Sequence, residues 1–421
     1  MYQEKIRRLR ARLKEAGASG ALLTTADNIY YASGFASVMD GWHLIEPIAA
    51  VFVPTDANYP VVLIMPEASI ISLIVSERGG HPVHFERIAT FDMLNFCETA
   101  RAEDAHLALP DDLLIELNAL MQRVEGNCEP DIIQTIAVTL ARHVGIKNRV
   151  LFDDLRVAMR VEAISSQSWG DALEVVLASR AIKTSEELSL LRESGLVADE
   201  IMAYTLSQLG VGKSWGEIEK QVAQYMISRD VDPLPGSPML FGGAYDLVFR
   251  PDLFRTEVSR PFVGGEIAIL ETQGRYKNFW IDINRTAHIG PAPQAYRDQY
   301  QAVREVFETI VARLRAGANT AEICEFRDIP AAKKLDPPDK LLVVAHSVGL
   351  VPLESPVRYP GTGLHGAKEG FTAEPGMVIS IDCLYFGSGL GPSHMENVFI
   401  VTDTGSEPLY QFPLELTETG T

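Results

Sequence analysis

The sequence predicts an α/β protein of two domains, and three observations carry that prediction. Its 421 residues are 47% hydrophobic and 22% charged, enough apolar material to bury a large core in more than one domain. Short runs rich in valine, isoleucine and phenylalanine, each bounded by turn residues, alternate with segments of helical periodicity. Near position 180 a helix-start signal interrupts the pattern, giving an amino-terminal domain over 1–180 and a carboxy-terminal domain over 181–421.

The first domain opens with MYQEKIRRLRARLKEAG, an amphipathic helix. A strand is expected over Ala21–Thr25, then a polar turn and a second apolar stretch whose Tyr30 and Tyr31 pack in the core. IAAVFVP and YPVVLIMP read as strands, and the segment containing LARHVG as a helix. Between these lies VMDGWHLIEP, which sets Asp40, Trp42 and His43 together on a loop expected to be a simple surface turn. The second domain begins at IKTSEELSLLRESG, where Thr184 and Glu187 have capping-box spacing: the hydroxyl accepts an N–H one turn in, and the glutamate returns to the cap N–H. SWGEIEKQVAQYMISRD is the next helix, strands are expected near 238–242 and 266–271, and a long amphipathic helix over Gln294–Arg315 ends at Ala-Gly.

One run in this domain, FWIDINRTAHIG, poses a problem. Phe279, Trp280, Ile281 and Ile283 suit a buried strand, and Asp282 does not. A buried carboxylate is costly without compensation, which Arg285 could supply as a salt bridge or a metal ion by coordination. Glu271 ends GGEIAILE eleven positions upstream, and the turn TQGRYKN would fold the two strands into a hairpin that brings the acids near each other. His346 interrupts LLVVAHSVGL, Asp382 interrupts MVISIDCLYF, and Glu396 precedes an apolar strand in GPSHMENVFIVT. Any one alone reads as a satisfied core polar group. Five in one domain carry too much negative charge to gather unaided, and a pair of divalent cations neutralises them.

Bulk properties exclude other classes. A formal charge of −19 disfavours nucleic acid and anionic membranes as partners. No apolar stretch approaches the roughly 18–20 residues of a membrane span, and the charged amino terminus lacks a signal-peptide core, so a cytoplasmic location is expected. Cys97, Cys128, Cys324 and Cys383 are scattered without a CxxC pair, which indicates reduced thiols rather than a disulfide framework or zinc knuckle.

In order and content these segments closely resemble the creatinase, prolidase and methionine aminopeptidase superfamily, over nearly the whole chain. DNIYYASGF resembles its amino-terminal domain, IKTSEEL the domain junction, and RLRAGANTAEI a helix end; ILETQGRYKNFWIDINRT resembles the paired-acid hairpin, and HSVGL, EPGMVISID and HMENVFIVTDTG the remaining ligand strands. The resemblance implies a creatinase-like α/β domain followed by a pita-bread domain of curved antiparallel sheet covered by helices. It further implies Glu271, Asp282, His346, Asp382 and Glu396 as ligands of one or two divalent ions, from among manganese, iron, cobalt and zinc, with a small-molecule substrate and a homodimer.

Departures from the peptidase pattern shape the expected chemistry. Glu271 stands where the peptidases have aspartate, and Asp382 where they have glutamate. In HSVGLVPLESP, Leu353 takes the slot of a catalytic histidine while Glu354 and Pro356 remain. The histidine expected after the strand near 238–242 falls at Phe249 or Arg250, and the arginine two residues before the last glutamate is His394. The expected function is therefore a metal-dependent hydrolase of a C–N bond, Xaa-Pro dipeptidase-like without the usual histidines, acting on a small amide or peptide-like molecule. Glu354 would shuttle the proton, its bland alternative being a loop carboxylate held by backbone N–H groups. His365 and His394 are candidate substrate contacts, and His288 is expected at the surface or behind the ligands. The alternatives are a metal-dependent lyase resembling dimethylsulfoniopropionate lyases, which carry aspartate at the Leu353 position; a metal-free creatinase-like hydrolase; and a binding module like the histone-chaperone subunits of this fold. The last two normally lose the ligand set that this chain retains.

Overall fold

The computed structural model describes residues 1–37, 39, 46–93, 110–234, 239–243, 261–360 and 370–419. Asp40, Trp42, His43, Phe249, Arg250 and His365 lie outside them. The chain forms two compact units, Met1–Arg180 and Ala181–Thr421.

The first unit holds helices α1 (Tyr2–Glu15), α2 (Ala26–Ser33), α3 (Ile71–Arg78), α4 (Asp111–Met121), α5 (Ile132–His143), α6 (Leu155–Ser165) and α7 (Leu173–Ala181), the last running one residue into the second unit. Its strands are β1 (Gly20–Leu23), β2 (Ala50–Pro54), β3 (Val62–Pro66), β4 (Arg87–Phe91), β5 (Val150–Phe152) and β6 (Trp169–Asp171), in the sheet order β4-β3-β2-β1-β5-β6. Because the sheet is covered on both faces, β1, β2 and β3 are apolar throughout and their alternate residues serve different cores. Leu23, Val51, Val53, Leu63 and Met65 pack on one side with Leu9 and Leu13 of α1. Leu22, Ala50, Phe52, Val62 and Ile64 pack on the other with Ile136 and Leu140 of α5. The turn expected after β1 is instead the helix α2. Its start is held from a distance, since Asp153 accepts the backbone N–H groups of Thr24 and Thr25 and the side-chain amide of Asn28. Tyr31 is buried, with its hydroxyl donating to the Ser179 carbonyl, whereas Tyr30 is half-buried.

In the second unit, α8 (Ser185–Gln208) begins with the expected capping box: Thr184 N–H donates to Glu187 Oε2 at 2.8 Å, and Glu187 N–H to Thr184 Oγ1 at 3.3 Å. After α9 (Trp215–Ser228) come β7 (Val231–Pro233), β8 (Met239–Gly243), β9 (Ile267–Tyr276) and β10 (Phe279–His288). The helices α10 (Gln294–Arg313) and α11 (Thr320–Ile323) then lead to β11 (Leu341–Ser347), β12 (Glu354–Arg358), β13 (Val378–Tyr385), β14 (Ser393–Val401), β15 (Ser406–Pro408) and β16 (Thr417–Glu418). The sheet runs β12-β11-β13-β14-β10-β9-β7, with β8 on β9, β15 on β14 and β16 on β10; only the β10–β16 pairing is parallel. The hairpin expected around Asp282 forms with a tighter turn than TQGRYKN suggests: only Lys277 and Asn278 lie between the strands, both at positive φ, as a two-residue primed turn requires.

The core of this sheet decides where its polar residues go. Val303, Val306, Phe307 and Ile310 of α10 pack against Val343 and Ala345 of β11, Ile379, Ile381 and Cys383 of β13, and Met395 and Phe399 of β14. All are odd-numbered positions on their strands. Since successive strand residues point to opposite faces, the even-numbered ones are left for the other side of the sheet.

Candidate metal centre

Those even-numbered positions hold His346, Ser380, Asp382, His394 and Glu396. Register carries the same face across the sheet: Asp382 is opposite Glu396, Glu396 opposite Asn284, Asn284 opposite Glu271, and Asp282 opposite Gln273. Five strands thus present one polar face, with all five sequence-expected ligands on it. Arg285 is one step off this face. It donates instead to the carbonyls of Asn284, Glu396, Phe412 and Pro413, so the salt bridge considered for Asp282 does not form.

Two groups of ligand-capable atoms converge among the described residues. Asp282, His346 and Glu396 form one, and Asp382, His394 and Glu396 the other; within each group the donor atoms all lie within 4.8 Å of one another, and every member is buried. His346 Nε2 stands 3.4 Å from Asp382 Oδ2 and 3.7 Å from Glu396 Oε1. The other ring nitrogen, Nδ1, lies 3.2 Å from the Ser347 carbonyl, which can only accept, so Nδ1 carries a proton and Nε2 is the atom turned to the acids. Ser380 Oγ donates to Glu396 Oε1 at 2.7 Å. Glu271 is half-buried at the rim and linked inward through Gln273, whose Nε2 donates to Glu271 Oε1 at 2.9 Å and to Asp282 Oδ1 at 3.0 Å.

Gathering these charges perturbs Asp282, Glu396, His346 and Asp382. Burial pushes Asp282 up to about 8, against the pull of His346 and with help from Glu271 and Asp382. Burial likewise raises Glu396 well above the carboxylate range, and the neighbouring Asp282 and Asp382 add to it. For His346 burial works toward the neutral ring, but the neighbouring carboxylates of Asp382 and Glu396 prevail and raise it. Asp382 is the counterpart: burial would raise it, yet His346 and His394 hold it well below the usual value. Such a set is stable only while it shares protons or takes up cations.

Orphaned polar atoms favour cations. Asp382 Oδ1, His394 Nε2 and both carboxamide atoms of Asn284 are buried with no hydrogen-bond partner among the described residues. Asn284 is fully buried between Glu271 and Glu396. Native interiors rarely leave such atoms unsatisfied, and an ion is a standard explanation for those with lone pairs, Asp382 Oδ1, His394 Nε2 and Asn284 Oδ1. The residues present therefore fit divalent metal.

Glu354 is not brought to this cluster. It is buried in an ion pair with Lys183, Nζ to Oε2 at 2.7 Å, and Lys183 also approaches Ser347 Oγ at 3.3 Å. Glu354 is paired in register with Ser347, past a β-bulge, and so shares the face turned away from His346. Leu353 is 44% exposed. His288 is not at the surface: it is buried, with Nδ1 against the Gly290 carbonyl and its ring tilted on Tyr296. The sequence reading missed Gln273, Asn284, Ser380 and Lys183. The first three were signalled by strand alternation, each lying two residues from an expected ligand. Lys183 carried no such signal, because its partner is 171 positions away.

Residues 5–72 match the creatinase/prolidase N-terminal domain. Among curated relatives, the chain is 27% identical over 293 residues to the uncharacterized peptidase YqhT of Bacillus subtilis, covering 68% of this chain and 78% of that one. To the Xaa-Pro dipeptidase of Pyrococcus furiosus it is 24% identical over 247 residues, covering 58% and 67%. Among solved structures, the Xaa-Pro dipeptidase from Bacillus anthracis superimposes with a TM-score of 0.70 at 18% identity over all of both chains. The prolidase from Pyrococcus horikoshii does so with 0.68 at 15%, over 98% of this chain and 99% of the other. The pita-bread expectation is met, with a creatinase-like domain ahead of it. Residues 189–403, which include every strand of the acidic face, match metallopeptidase family M24, and to that family the chain belongs.

Proposed function

We propose that the chain is a metal-dependent hydrolase that cleaves a C–N bond in a small peptide-like molecule, in the manner of an Xaa-Pro dipeptidase. Membership of a peptidase family gives the reaction class. The observation that carries the metal dependence is the convergence of Asp282, His346 and Glu396, all buried, with Asp382 and Glu271 on the same face. Glu271, Asp282, His346, Asp382 and Glu396 would hold one or two ions of manganese, iron, cobalt or zinc. Bound divalent ions supply a Lewis acid for the scissile carbonyl and lower the pKa of water.

The protein's own groups have defined tasks in this reading. Ser380 fixes one oxygen of Glu396, Gln273 ties Glu271 to Asp282, and the Ser347 carbonyl sets the ring of His346 with Nε2 inward. Glu354, paired with Lys183, supports the strand end behind His346, and we assign it that role in place of the proton shuttle. A homodimer and a cytoplasmic location belong to the same reading by resemblance to the family. Among the described residues no helix is long and apolar enough to cross a membrane.

The test is metal content per chain on protein purified without chelator, beside Asp282→Ala, followed by products from Xaa-Pro dipeptides, simple amides, creatine-like compounds and dimethylsulfoniopropionate. The expected result is one or two ions in the wild type, their loss in the variant, and release of an amine plus an acid. A wild type that stays ion-free after reconstitution overturns the reading, and an alkene product moves it to the lyases.

A further inference from the structure

Building on that metal-dependent reading, we propose that His394 is itself a metal ligand, acting with Asp382 and Glu396, so that the centre uses two imidazoles rather than one. His394 Nε2 and Asp382 Oδ1 face each other at 3.8 Å. Both atoms are buried, and neither has a hydrogen-bond partner among the described residues. That separation is too long for a hydrogen bond. It does suit two donors of one ion, since ligand atoms each about 2.0–2.2 Å from a shared metal stand roughly 3–4 Å apart. With Nε2 unprotonated, both atoms present lone pairs and neither can satisfy the other, and a cation in the gap between them satisfies both.

Glu396 completes the set, with all three donors within 4.8 Å. Its register explains why: Asp382 is directly opposite Glu396, and His394 lies two residues before Glu396 on the same strand and so on the same face. The backbone at 394 is fixed from the neighbouring strand, because Thr286 Oγ1 donates to the His394 carbonyl at 2.7 Å and accepts its N–H at 3.0 Å. Asp382 turns its two oxygens to two different rings, Oδ2 to His346 and Oδ1 to His394. Its short side chain is thereby placed between both imidazoles. A second imidazole moves the donor set away from the all-oxygen sites that magnesium and calcium prefer and toward zinc, cobalt or iron.

The experiment is X-ray absorption at the zinc edge of the reconstituted wild type, which counts coordinated imidazoles without any variant, together with zinc titration of the wild type, His394→Ala and His394→Gln. The expected result is two imidazoles in the wild type and one in His394→Ala, with zinc affinity in both variants falling more than the 10–100-fold typical of a residue that only supports a ligand. A single imidazole in the wild type, or His394 variants that bind zinc with unchanged affinity, overturns the inference and leaves the metallohydrolase reading standing. A wild type that takes up no zinc or other divalent ion overturns both.

Discussion

Lys183 and Glu354 are almost completely buried, so their charges rely on each other for solvation. Gly349 makes the arrangement possible: a Cβ there would lie 2.4 Å from Glu354 Oε2 and 3.1 Å from Lys183 Cε, which accounts for the glycine in HSVGL. Breaking such a pair on one side strands a charge, typically costing about 3–5 kcal/mol, whereas replacing both partners with apolar residues is often neutral. Lys183→Met should therefore lower stability in urea unfolding by about that amount, and Lys183→Met with Glu354→Leu should recover most of it. If Glu354→Gln unfolds like the wild type but loses turnover, Glu354 acts in the chemistry rather than in support of the strand.

Among the elements, α8 illustrates what local sequence can specify. Its capping box uses only Thr184 and Glu187, three residues apart, and both hydrogen bonds form as the spacing predicts. Thr184→Ala removes the acceptor for the Glu187 N–H and should cost about 1 kcal/mol, read as a lower denaturation midpoint. Helix α2 is the contrasting case. The segment after β1 reads locally as a polar turn followed by an apolar stretch, yet Ala26–Ser33 is one helix whose start is held by Asp153, more than 120 positions away, through the N–H groups of Thr24 and Thr25. No window around residue 26 contains that carboxylate.

For the molecule as a whole, the buried acids tie stability to pH and to metal. Asp282 and Glu396 bind protons more tightly in the folded chain than in the unfolded one. Their favourable contribution is complete below the unfolded carboxylate values of about 4 and is lost as pH rises through the raised ones, about 8 for Asp282. The raised His346 has the same sign, its contribution fading as pH climbs through its own value. Asp382 has the opposite sign, contributing above the ordinary aspartate range and failing only in strong acid. The ion-free protein should accordingly lose stability between about pH 4 and pH 8. Ions must displace the protons on Asp282 and Glu396, so binding should strengthen with pH. Manganese should raise the melting temperature more at pH 8 than at pH 6, and calorimetry at pH 7 in buffers of different ionisation heat should show proton release. Uptake without proton release would mean that these acids are not the ligands.

The sequence by itself determined the fold class, the hairpin around Asp282, the cap of α8 and the candidate ligand types, because each depends on residues within a few positions of one another. Strand alternation even carried the identity of the polar face: Asp282 and Arg285 are three apart and so point to opposite sides, which argues against their pairing before any contact is seen. Tertiary structure decided what meets across that face. Register between strands far apart in sequence placed Asp382 opposite Glu396, carried His394 to Asp382 Oδ1, and turned Glu354 away toward Lys183. A one-residue slip in any of these pairings would move a whole strand's side chains to the other face. The burial that makes one register far more favourable than its neighbours is a property of the packed sheet and α10, and no single segment contains it.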